Sequence, residues 1–242
     1  MATSVAIVGS SGRMGGLIDR MLSASDDFDV HARIGRHDSL TQIEGADVVI
    51  DVSVPAVSPD VVAVALDLGL PIVIGTSGWT SDRIAPVAAR IAADPALTAL
   101  VIPNFSLGSA LATRFAELAA PYFESIEIVE AHHAGKTDSP SGTAIRTAEL
   151  IAAARAEIGP VAAPHADQRA RGQQVASVPV HSMRMSGVSA RQEVVLGGGG
   201  ETVRIVHETL SDESYEPGIL LALRAATTTT GLVIGLGALL GL

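Results

Sequence analysis

Two imidazoles, one ammonium and the start of a helix fall within a single short segment, Glu130-Ala131-His132-His133-Ala134-Gly135-Lys136-Thr137-Asp138-Ser139-Pro140-Ser141-Gly142-Thr143-Ala144. Holding a dicarboxylate takes several donors and positive charge, and reduction by hydride takes a nearby proton source. This segment contains both. Backbone amides near Ser141, Gly142 and Thr143 open a helix and can cradle a carboxylate, with the hydroxyls of Ser141 and Thr143 as further donors. The plainer alternative is that Ser141 or Thr143 only caps that helix. Lys136 is the only lysine among sixteen Lys and Arg residues. In a chain so biased toward arginine, a lysine here suggests that a compact point charge is wanted where a planar fork would not serve.

A second constellation opens the chain. Gly9-Ser10-Ser11-Gly12-Arg13-Met14-Gly15 lies between an apolar run and an amphipathic one. In that context a glycine loop can bring bare backbone and a helix N-terminus up to a pyrophosphate; taken alone it is only a tight turn. Gly9, Gly12, Arg13 and Met14 are the residues expected at the nucleotide. An acid ending the second strand would bind the ribose hydroxyls of NAD, whereas an arginine there accommodates the 2′-phosphate of NADP. Here the strand runs into Gly35-Arg36-His37-Asp38, and the acid is missing. Arg36 either meets that phosphate or sits in a solvated turn, and Asp38 can swing in from the loop. NADPH is expected to serve at least as well as NADH. Gly75-Thr76-Ser77-Gly78 and Pro103-Asn104-Phe105 follow later strands and point toward the same crevice, although such residues dominate ordinary turns as well.

The elements that must carry these loops are read from periodicity. Strands are expected at Val5–Gly9, Asp29–Ile34, Val48–Val52, Pro71–Gly75 and Ala99–Ile102. Met14, Leu17, Ile18, Met21 and Leu22 mark the helix between the first two, and further helices fit Ser58–Leu68 and Asp82–Ala93. This alternation predicts βαβ units around a parallel, Rossmann-like sheet. After Asn104 the rhythm changes to a helix near Leu107–Ala119, a strand Ser125–His132 and a helix from Thr143 to about Ala156. The segments Val178–Met185, Arg191–Leu196 and Glu201–Glu208 then indicate an α+β lobe on a mixed sheet. Residues 157–176 read as a long connection, Gly197–Gly200 as a hairpin turn, and Pro217 as the opening of a last helix. The expected division is a dinucleotide domain over 1–105 completed by 215–242, and a second domain over 106–214.

Composition narrows the function. A net charge of −10 works against polyanion binding, so no nucleic-acid partner is expected. With no cysteine there are no disulfides, thiolate nucleophiles or Cys-ligated zinc, which suits a cytoplasmic setting. The N-terminus reads as a first strand and not as a signal peptide, and the apolar stretch Gly231–Leu242 is too short for a membrane helix. His165, His181 and His207 are too scattered to suggest a metal site.

Taken together, the glycine loop with Arg13-Met14, the Gly75–Gly78 turn, Asn104-Phe105 and above all the run from His132-His133 to Thr143 resemble the signature segments of the dihydrodipicolinate reductase family. The likeness covers nearly the whole chain. It implies an N-terminal Rossmann domain, a substrate domain whose sheet builds a homotetramer, and NAD(P)H-dependent reduction of a cyclic dicarboxylate imine toward diaminopimelate and lysine. It also implies that His132 is the general acid, acting with Lys136. His133, Lys136, Ser141, Gly142 and Thr143 would hold the substrate carboxylates, with the nicotinamide near Thr76–Gly78 and Asn104–Phe105. Two departures stand out: Gly35 in register with the ribose acid, and Arg191 where similar sequences often carry histidine. The competing readings are another two-domain Rossmann oxidoreductase of a small carboxylic acid, and a non-catalytic dinucleotide sensor. A sensor would have no use for a proton donor beside an anion-binding helix.

Overall fold

The computed structural model describes residues 2–242 and divides them into two units, residues 2–107 with Asp212–Leu242, and Gly108–Ser211. The first unit begins with β1 (Thr3–Val8), α1 (Arg13–Ser23), β2 (Phe28–Ile34), β3 (Val48–Asp51), α2 (Ser58–Asp67), β4 (Ile72–Ile74), α3 (Ser81–Ala93) and β5 (Thr98–Val101). β3, β4 and β5 are buried at every residue, as strands covered on both faces are, and are apolar apart from Asp51 at the end of β3 and Thr98 at the start of β5. On α1 the buried positions Gly15, Leu17, Ile18 and Leu22 form one face, and Met14 and Met21 are half-buried beside it.

The chain then enters the second unit with α4 (Leu107–Ala119), β6 (Ser125–His132), α5 (Gly142–Ala154), β7 (Gln173–Val175), β8 (Val178–Arg184), β9 (Ala190–Gly198) and β10 (Glu201–Thr209). Their sheet has the order β10-β9-β6-β8-β7, with β6 and β8 parallel and the other pairs antiparallel. Ile126, Ile128, Val180, Val194 and Leu196 pack with Ala144, Ala148 and Ile151 of α5 in one core. The glycine run closes the β9–β10 hairpin, with Gly198 opposite Glu201 and Gly200 at φ +93°. One expectation is corrected here: residues 173–175 are not part of a bare connection but pair with β8 as an edge strand.

The return to the first unit supplies α6 (Glu216–Ala226), β11 (Gly231–Ile234) and α7 (Leu236–Leu239). β11, an element that periodicity alone does not predict, pairs in parallel with β5. The resulting sheet, in the order β11-β5-β4-β3-β1-β2, is parallel throughout. From β1 the chain goes first to β2 on one side and then to β3 on the other. Such a reversal opens a crevice at the carboxyl ends of the strands. The loops after β1 and β3 border that crevice. Among the described residues, no helix is long and apolar enough to cross a membrane.

Candidate active site

Side chains two apart on a strand share a face, so Glu130 and His132 continue the row begun by Ile126 and Ile128 on β6. Nδ1 of His132 lies 2.6 Å from Oε2 of Glu130. An ionised carboxylate only accepts, so this contact puts the proton on Nδ1 and leaves Nε2 for a ligand. Glu130 has no exposed surface. Its other partners include Arg184, whose Nη1 and Nη2 meet the two carboxylate oxygens at 2.9 Å each, the Ser141 amide at 3.2 Å, and Ser182. Arg184 stands opposite His132 in the β6–β8 register and also donates to the carbonyls of Met183 and Asp138.

The electrostatics follow from this packing. Burial pushes the Glu130 carboxyl up, but hydrogen bonds from Arg184, Ser182 and His132 outweigh it and hold the group below the usual carboxylate range. At His132 burial lowers the imidazole, Glu130 partly restores it, and the charges of Lys136 and Arg184 lower it further; the net shift is downward. Glu130 is therefore an anion clamped by a fork of donors, and His132 is a weakly basic imidazole oriented by it.

The rest of the loop is arranged around this pair. Nζ of Lys136 lies 2.7 Å from Oδ1 of Asp138, whose carbonyl is the one held by Arg184. Ser141 is buried and caps α5, its hydroxyl oxygen accepting from the Ala144 amide at 3.2 Å while its own hydrogen is still available to donate. Gly142 is exposed with open space above its backbone, Thr143 is half-buried, and His133 is exposed with its ring beside Gly135. His132, Lys136 and Ser141 thus join one network, with His133 and Gly142 at its margin. Glu130 and Arg184 had no assigned role in the sequence reading. The i, i+2 spacing from His132 was a usable signal for the glutamate; nothing local marks the arginine.

In the first unit, Gly9 has φ +91°, and a Cβ there would lie 2.6 Å from the Val52 carbonyl oxygen. A Cβ on Gly15 would lie 2.2 Å from the Gly9 oxygen, so this glycine lets α1 abut the turn. No side chain caps α1 and no acid stands in its first turn. Bare amides at an uncapped helix start suit a pyrophosphate, so the turn fits a dinucleotide. Gly12 and Arg13 are exposed and Met14 is half-buried; Arg13 also pairs with Asp212. At the end of β2, Oδ2 of Asp38 accepts the Gly35 amide at 2.8 Å, so a carboxylate returns to the strand end although the register position is glycine. Arg36 is exposed beside it. Thr76 is buried, whereas Ser77, Gly78 and Pro103 are exposed. Asn104 Oδ1 accepts the Ser106 amide at 2.9 Å. Phe105 is buried with its ring against Gly75, where a Cβ would be 2.4 Å from the ring edge.

An uncapped glycine turn at the start of a helix in one unit, and an imidazole anchored by a buried carboxylate near the start of another helix in the second, suit a pyridine-nucleotide oxidoreductase. The family model described as dihydrodipicolinate reductase, N-terminus, matches residues 3–105, and the one described as dihydrodipicolinate reductase, C-terminus, matches 108–240. The chain belongs to the dihydrodipicolinate reductase family. The 4-hydroxy-tetrahydrodipicolinate reductase of Clavibacter sepedonicus is 55% identical over 240 residues, covering 99% of this chain and 87% of that protein. The enzyme of the same name from Streptomyces coelicolor is 45% identical, covering 96% and 95%. Among solved structures, dipicolinate-bound dihydrodipicolinate reductase from Paenisporosarcina sp. TG-14 superposes with a TM-score of 0.83 at 27% identity, covering 98% of this chain and 99% of that one.

Proposed function

We infer that the protein is a 4-hydroxy-tetrahydrodipicolinate reductase, using a reduced pyridine nucleotide to convert the cyclic imine to tetrahydrodipicolinate on the route to diaminopimelate and lysine. The observation that carries this reading is the Glu130-anchored His132 beside the lone lysine and the N-terminus of α5. Bound at the Gly9–Met14 turn, the nucleotide supplies the hydride. Ser141, Gly142 and Thr143 meet one substrate carboxylate with amides and hydroxyls, while the Lys136 ammonium and a ring N–H of His133 donate to the other. Reduction builds negative charge on the substrate, and His132 discharges it by donating a proton from Nε2, with Glu130 stabilising the protonated ring. The direct test mixes the purified protein with freshly generated product of the preceding synthase and follows NAD(P)H absorbance. Consumption with substrate and none without it is expected; no turnover with either cofactor would overturn the reading.

Each cofactor finds a partner at the end of β2. Asp38 offers a carboxylate for ribose hydroxyls, and Arg36 offers a guanidinium for a 2′-phosphate, which supports NADPH use at least equal to NADH use. Arg36→Ala should raise the NADPH Michaelis constant about fivefold, the ~1 kcal/mol of one exposed charged contact, and leave that for NADH unchanged. Equal values for wild type and variant with NADPH would remove Arg36 from the site.

We also propose a homotetramer built on the second sheet. What supports this is β10, a nine-residue edge strand with Val203 and Val206 exposed, and Met183 and Met185 exposed near the end of β8. Long apolar edges call for a covering partner. Light scattering should return four times the chain mass; a monomer across micromolar concentrations would refute it.

A further inference from the structure

Asp51 ends β3 without exposed surface, and none of the steps above uses its carboxylate. Oδ1 accepts the Ser53 amide at 3.0 Å, and Oδ2 accepts the hydroxyl of Ser58 at the start of α2. The same Ser58 oxygen accepts the indole N–H of Trp79 at 2.9 Å. The main-chain carbonyl of Asp51 meanwhile accepts the amides of Gly75 at 2.8 Å and Thr76 at 3.1 Å, and the Thr76 hydroxyl at 3.3 Å. One residue therefore holds the turn from Gly75 to Trp79 at both ends, directly at its start and through Ser58 at its finish.

The turn has little freedom to settle elsewhere. Gly75 is pressed by the Phe105 ring; Gly78 has φ +86°, and a Cβ there would lie 3.3 Å from Pro55. Arg83 donates to the Pro55 carbonyl at 2.8 Å and ties the β3–α2 loop to the start of α3. A buried carboxyl group left without donors is costly; of its two donors here, the Ser53 amide lies in its own loop and the Ser58 hydroxyl carries the link to Trp79.

We propose that Asp51, acting through Ser58 and Trp79, is a positioning residue that fixes the Gly75–Trp79 turn as the wall for the nicotinamide. Hydride transfer then depends on a carboxylate that touches neither cofactor nor substrate. The proposal rests on the reading that the nicotinamide lies against Thr76–Gly78. A displacement of about 1 Å at a reacting centre lowers the rate on the order of 10²-fold, so a loosened wall acts on turnover more than on binding.

Trp79 is the only tryptophan, so its emission reports on this turn alone. The experiment uses the full chain as wild type, Ser58→Ala, Trp79→Phe and the double variant, measuring kcat, the Michaelis constant for NADPH and, where Trp79 is present, energy transfer from indole to bound NADPH. In wild type, saturating NADPH should quench Trp79 and give sensitised nicotinamide emission. Ser58→Ala should shift the Trp79 emission, lower kcat about tenfold or more, and change the NADPH constant less than about threefold. Because both substitutions break one relay, the double variant should be no worse than the poorer single variant. Absence of energy transfer in active wild type would refute the nicotinamide placement itself. Energy transfer in wild type with unchanged kcat in Ser58→Ala would overturn the positioning role, as would losses that multiply in the double variant. Ser58→Ala leaves the Asp51 carboxylate in place, so the test does not depend on Asp51→Asn folding.

Discussion

His132→Gln should lower turnover ~10²–10⁴-fold, the usual range for a lost general acid or base, with NADPH binding retained. Glutamine keeps a neutral polar group at about the reach of Nε2 but has no proton to deliver in the range where the enzyme works. The wild-type pH profile carries the same assignment. Burial, Lys136 and Arg184 together hold the imidazole below its ordinary value in the free protein. A required acid with a lowered pKa is fully protonated only well below neutrality, so kcat/KM should fall as pH rises through that lowered value. In the complex, two substrate carboxylates add negative charge and favour the protonated ring, so the fall in kcat should come at higher pH than the fall in kcat/KM. Paired profiles for wild type and His132→Gln, with cofactor titrations on the same preparations, provide the measurement. Near-normal turnover in the variant would move the proton to another donor.

Why the acid was legible and its anchor was not is a matter of chain distance. His132, His133, Lys136 and the start of α5 are contiguous, so their chemistry is visible as a string. Glu130 lies in that string, yet only the strand period puts it on the same face as His132. Arg184 is 54 residues further on, and the β6–β8 register alone brings it opposite His132. The same distinction runs through the fold. Strands β3, β4 and β5 are buried on both faces and were readable as apolar runs. β11 was not, because its glycine-interrupted sequence becomes a strand only by pairing with β5. β7 has a polar sequence and depends likewise on β8. At the nucleotide site, the missing acid after β2 was visible in the sequence, but the return of Asp38 to the Gly35 amide is a property of the turn.

Lys136→Arg should retain NADPH binding and lose about 10²-fold in catalytic efficiency with substrate, even though arginine keeps the charge and the rest of the chain uses it throughout. The ammonium is a compact charge with three donors on a flexible stem. Its 2.7 Å contact with Asp138 is one that a substrate carboxylate can share or replace by a small rotation of that stem. A guanidinium is wider and forks onto a carboxylate with two parallel bonds, which favours the internal Asp138 over the incoming ligand. Asp138 is itself tied through its carbonyl to Arg184, and Arg184 to Glu130, so a displaced Asp138 would disturb the anchor of His132 as well. Cofactor titration by fluorescence and steady-state kinetics on one preparation separate binding from turnover. Adding Asp138→Asn to Lys136→Arg divides the loss further, because it weakens the internal pairing and leaves the width of the guanidinium unchanged. Recovery in the double variant would assign the loss to competition by Asp138, and no recovery would assign it to the space the guanidinium occupies. Wild-type efficiency in Lys136→Arg alone would show that charge suffices and that the shape of the lysine head has no part in the reaction.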